Sequence, residues 1–130
     1  MSHQDQLRAL IERHCVTLND EAAAIGAHIR QLEDAAIDSS DAISNAIAMA
    51  HKIKGSSGTI GFTAISSAAG SLESYLSALA SIGMDPTAAQ INTVAGLFDE
   101  LNTLVRTVSP ESSTLYNAGI PGLTDRITAS

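Results

Sequence analysis

Residues 43–60 read ISNAIAMAHKIKGSSGTI. Ile43, Ile47, Ala50, Ile53, Ser57 and Ile60 recur there in steps of three and four. An α-helix turns about once every 3.6 residues, so this spacing predicts a helix with one face turned inward. Asp38-Ser39-Ser40 stands just ahead and offers side-chain oxygens to cap its start.

The same periodicity continues on both sides. Upstream, Leu7, Ile11, His14, Leu18, Ala22, Ile25, Ile29 and Leu32 form one stripe. They predict a helix from about residue 3 to 36, or two helices with a break near Asn19-Asp20. Downstream, a third helix is expected to start with Thr63 as its N-cap. It carries Ile65, Ala69, Leu72, Leu76, Leu79 and Ile82, and Gly83 stands where a C-terminal glycine belongs. A fourth is expected at Asp85-Pro86, an N-cap followed by proline at the first helical position. Its stripe is Ile91, Val94, Phe98, Leu101, Val105 and Val108, and Pro110 ends it. Short connections make consecutive helices antiparallel, which predicts an all-α, up-down-up-down four-helix bundle over residues 1–108. Residues 109–130 read as a C-terminal extension, loosely packed or mobile, with Leu115, Tyr116, Ile120 and Leu123 available for packing.

Composition agrees with a helical core. The chain has 130 residues, enough for one domain, and 45% of them are apolar. Two Phe, two Tyr and no Trp leave the packing to Ala, Leu and Ile. A net charge of −7 repels nucleic-acid backbones and anionic membrane surfaces, so neither is expected as a partner. Cys15 is the only cysteine and fits a reducing compartment. The opening MSHQDQLRALIERH has charges where an export signal needs an apolar stretch, and no apolar run approaches a membrane span. A cytoplasmic location is expected.

At about 100° per residue, Lys54 lies about 60° to one side of His51, Gly55 about 40° to the other and Gly58 about 20° away. These residues form one strip on the outer face, while Lys52 points about 100° from His51. His51 is therefore expected at least partly exposed, beside a cation. Two glycines inside a helix together cost about 2 kcal/mol relative to alanine. Their positions can mean that the helix ends, that a neighbouring helix comes close, or that a bulky partner needs clearance at the imidazole. Ser57 and Ile60 continue the inward face past Gly55, which speaks against a helix end. The glycines lie on the histidine side, away from the core stripe, which speaks against a close helix. The clearance reading, with Lys52, Gly55 and Gly58 as the landing surface, also leans on a family resemblance of these residues.

At these residues the sequence resembles the histidine-containing phosphotransfer (HPt) family. Its pattern is histidine, two residues, Lys-Gly, then small residues and a further glycine. His51, Lys54, Gly55, Ser56, Ser57 and Gly61 match it, with Ile53 and Ile60 at its apolar positions. The resemblance implies that His51 is a phosphoacceptor and that Lys54 neutralises phosphate oxygens. It also implies an acid or amide 22 residues beyond the histidine that orients the ring. That residue is Glu73, and the less favoured alternative is a plain surface carboxylate.

No Gly-rich nucleotide loop and no clustered Asp pair is present in the sequence. The resemblance therefore implies a phosphocarrier rather than a multiple-turnover enzyme. It needs no cofactor of its own, and Mg²⁺ is expected on the partner. The implied partners are response-regulator receiver domains and a hybrid histidine kinase, and the carrier is expected to be a monomer. Two other readings stand beside this one. The first is a docking or inhibitory module that is never phosphorylated. The second is the dimerisation domain of a histidine kinase, which usually has an acidic residue where this chain has Lys52. His3, His14 and His28 show no ligand spacing, so no metal site is expected.

Overall fold

The computed structural model describes residues 3–34 and 39–116. They form four helices: α1 His3–Gln31, α2 Ser39–Ile60, α3 Thr63–Ile82 and α4 Ala88–Arg106. A short 3-10 turn, Pro110–Ser112, follows. Among the described residues there is no strand. Helices neighbouring in sequence pack against each other, and α4 closes back on α1. The diagonal pairs, α1 with α3 and α2 with α4, make no close backbone approach. This is the up-down-up-down bundle that the periodicity predicts.

The core is aliphatic. Ile11, Leu18, Ile53, Leu72, Leu76 and Leu101 are fully buried. Each such side chain contributes about 1.5–3 kcal/mol. Ala22, Ala42, Ala46, Ala50 and Ala69 are buried between them and let the helix axes come close. α1 runs unbroken through Asn19-Asp20. Leu18 and Ala22 keep the buried face continuous there, and the Asn19 amide donates to the Cys15 carbonyl at 3.0 Å.

Three predicted helix starts shift. Thr63 is the first residue of α3, and Phe62 stands at its N-cap position without a side-chain cap. The Phe62 ring is buried instead, stacked on His14 at 5.9 Å. α4 starts at Ala88 rather than at Asp85-Pro86, because Thr87 and Gln90 form a reciprocal capping box. Asp85 accepts from the Ser39 hydroxyl at 2.9 Å and ties the start of α2 to the α3–α4 connection. Ser39 and Ser40 lie inside α2, while Asp38 lies outside the described residues.

The ends of α2 and α3 follow glycine chemistry. Gly61 has φ +96°, with bonds from Gly61 N–H to Gly58 O and from Phe62 N–H to Ser57 O. This Schellman ending leaves only Gly61 and Phe62 between α2 and α3, so the two helices fold tightly antiparallel. Gly83 ends α3 with φ +73°, as its position in the sequence predicts.

Packing continues past the boundary expected at residue 108. α4 ends at Arg106, with Val108 half-buried on the core, and Pro110 opens the 3-10 turn. Ser113 is buried and its hydroxyl donates to the Ile60 carbonyl. The Thr114 N–H donates to the Gly61 carbonyl. The Arg8 guanidinium lies 4.9 Å from the Tyr116 ring centre and donates to the Tyr116 carbonyl. Residues 109–116 thus strap the α2–α3 turn to α1. Ile120 and Leu123 lie outside the described residues.

Candidate functional site

His51 leaves the outer face of α2 with 72% of its side chain exposed. Ala50 and Ile53, on either side of that strip, are fully buried and fix the rotation of the helix. The His51 Nδ1 lies 2.7 Å from Glu73 Oε2 on α3. A carboxylate can only accept, so in the neutral ring this contact selects the Nδ1–H tautomer, in which Nε2 carries the lone pair. Lys54 Nζ stands 3.6 Å from the second oxygen of Glu73. One carboxylate thus gathers both basic side chains.

The two glycines have different surroundings. A Cβ placed on Gly55 would meet nothing within 4 Å, so the surface beside the imidazole is open. A Cβ on Gly58 would lie 3.1 Å from Ser66 Oγ. Ser66 donates to the Lys54 carbonyl at 2.8 Å and ties α3 to α2 at the level of the site. Close helix approach therefore accounts for part of Gly58, and clearance remains for Gly55. The stem of Lys54 runs along Gly70 of α3.

Lys52 points to the other flank of α2. Its Nζ lies 3.0 Å from Glu21 Oε2 on α1, and Glu21 is buried. Lys52 and Lys54 are the only lysines in the chain, and they flank His51. Below this pair, His14 is buried with Nε2 3.2 Å from Ser57 Oγ. Burial lowers the His14 pKa from its ordinary value, and the Glu21 charge opposes that only in part. Cys15 is half-buried, and burial raises its thiol, with Glu111 and Glu12 adding to the effect. Among the described residues no group of three or more His, Cys, Asp or Glu could hold a metal ion. No described helix is long and apolar enough to cross a membrane.

Of the residues singled out in the sequence, the structure brings His51, Lys54 and Glu73 together and sends Lys52 to α1. Glu21, Ser66 and Gly70 escaped sequence reasoning. Glu21 carried a signal, since it shares the inward face of α1 with Leu18 and Ile25.

A bundle with one exposed, carboxylate-oriented histidine on its second helix suits a carrier of small transferable groups. Residues 18–108 match the Hpt domain family model. The match covers well over half of the chain, so the protein belongs to the Hpt family and to histidine phosphotransfer in two-component signalling. No curated protein and no solved structure matches the chain.

Proposed function

We propose that His51 is the phosphoacceptor and that the protein shuttles a phosphoryl group between response-regulator receiver domains. The first donor is a receiver-domain aspartyl phosphate, such as that of a hybrid histidine kinase. In the forward step the Nε2 lone pair attacks phosphorus as the bond to the aspartate oxygen breaks. The aspartate leaves as a carboxylate, and His51 becomes a phosphorylated imidazolium. Glu73 balances that cation through Nδ1–H, and Lys54 turns towards the phosphoryl oxygens. Transfer onward is the reverse step with a second receiver. Such chemistry is mostly positioning and charge neutralisation, and Mg²⁺ belongs to the receiver. The protein is then a cytosolic phosphocarrier with no turnover of its own.

What supports this reading above all is the contact of His51 Nδ1 with Glu73, which leaves the exposed ring with Nε2 free. A purely docking or inhibitory surface has no need of an oriented histidine. The kinase dimerisation reading needs a second chain, whereas here four helices of one chain close a core. That favours a monomer. Incubation with a ³²P-labelled receiver should label the wild type and leave His51→Gln unlabelled. Equal labelling of both would sink the proposal.

A further inference from the structure

α2 presents three basic side chains at the level of the site, and each meets a carboxylate on a flanking helix. His51 and Lys54 meet Glu73 of α3, and Lys52 meets Glu21 of α1. The two acids differ in their surroundings. Glu73 keeps 19% of its side chain exposed, Glu21 only 7%. Among the described residues the Lys52 ammonium, 3.0 Å from Oε2, is the one close compensating charge for Glu21. A carboxylate buried this way costs stability that an apolar side chain would not. A purely structural role at this core-facing position of α1 gives no reason for the acid.

We propose that Glu21 is a positioning residue for His51, acting through Lys52. This rests on the reading of His51 as the acceptor. The pull of Glu21 on Lys52 comes from the α1 side, and the pull of Glu73 on His51 and Lys54 comes from the α3 side. Within the rotation that buried Ala50 and Ile53 set, these two opposed pulls steady the outer face of α2, and with it the direction in which the imidazole leaves the helix. Gly55 and Gly58 are poor helix formers, and the hydroxyls of Ser56 and Thr59 bond back to the carbonyls of Lys52 and Gly55, so this stretch of α2 gains little from its own sequence and more from contacts with its neighbours.

The test separates orientation from stability. Glu21→Gln combined with Lys52→Gln removes both charges, so no buried charge is left unpaired. Glu21→Met with Lys52→Gln is the second variant, should the first not fold. The donor is phosphoramidate, which needs no partner protein: its P–N bond breaks as Nε2–P forms, and ammonia leaves. ¹⁵N NMR of the His51 ring reads the Nδ1–H tautomer in the unmodified protein. The folded double variants should show a smaller Nδ1–H population and phosphorylation about three- to tenfold slower, in line with the cost of small misplacements at a reacting group. Lys52→Arg, which keeps the ion pair, should restore both. A folded double variant with wild-type ring signals and a wild-type rate overturns the proposal. If the wild type itself takes no phosphate, the carrier reading fails, and the ring signals still decide whether Glu21 orients His51.

Discussion

His51 and His14 are the same residue in opposite surroundings. His51 stands on the wet face of α2 with a carboxylate behind its Nδ1. His14 lies under α2, stacked on Phe62 and bonded to the Ser57 hydroxyl. The first arrangement turns the ring outward, with Nδ1 held on the bundle side. The second hides the ring and disfavours its charged form. Histidine at a helical spacing does not announce which of these it will be. The neighbours decide: apolar residues three and four away draw His14 inward, while Lys54, Gly55 and Gly58 keep His51 outside.

Swapping the consequences is the strongest way to break this contrast. His51→Gln should abolish phosphorylation and change stability by no more than about 1 kcal/mol, since the side chain is mostly exposed and the glutamine amide can still donate to Glu73. His14→Ala should do the reverse, with phosphorylation kept in the folded protein. It removes the ring stack and leaves the Ser57 hydroxyl without this partner in the core, so it should cost about 2–3 kcal/mol in urea unfolding. A His14→Ala protein as stable as the wild type would show that the buried histidine is dispensable to packing.

Glu73→Ala tests the orienting half of the contrast. Loss of an orienting partner typically costs 10–100-fold, and about that loss in phosphoramidate labelling is expected. Glu73→Gln keeps an acceptor oxygen for Nδ1–H and should lose less. Equal rates in all three proteins would make the 2.7 Å contact incidental.

The buried histidine also sets a pH dependence. Its folded-state pKa lies below the unfolded value of about 6.5. The unfolded chain therefore binds this proton first as pH falls. Stability contributed by neutral His14 is complete above that value and declines as pH drops from about 6.5 towards the lowered folded-state pKa. His14→Phe should flatten the decline between pH 7 and 5. An unchanged slope in His14→Phe would assign it to carboxylates instead.

The bundle was legible because its four stripes are long and nearly uninterrupted, and because glycine at 61 and 83 marks two helix ends. Local chemistry was harder. Asp85 and Thr87 are both good caps, and only the reply from Gln90 selects Thr87. Thr63 could cap α3, but the stack of Phe62 on His14 draws the chain into the helix one residue earlier. Within the site, His51, Lys54 and Glu73 could be placed from helical angles and the family pattern. Glu21 shares the inward face of α1 with Leu18 and Ile25, but the meaning of an acid there emerges only with its distant partner, Lys52. The strap at 109–116 has no periodicity to read. It is held by single hydrogen bonds to Ile60, Gly61 and Arg8, which come together only in the folded chain.

The smallest effects should come from the two glycines, which look equivalent in sequence and are not. Gly55→Ala meets open space, so the helix gains about 0.5–1 kcal/mol from the better helix former. The added methyl stands where a receiver would land, so transfer from a receiver should slow several-fold while phosphoramidate labelling holds, a difference of about 1 kcal/mol. Gly58→Ala gains the same propensity but presses on Ser66 Oγ at 3.1 Å and weakens its bond to the Lys54 carbonyl. That bond is worth about 1 kcal/mol, so the stability change should fall near zero. Thermal melts with both donors separate the cases. If Gly55→Ala accepts phosphate from a receiver at the wild-type rate, the open surface beside His51 is not the landing site, and the gap there needs another explanation.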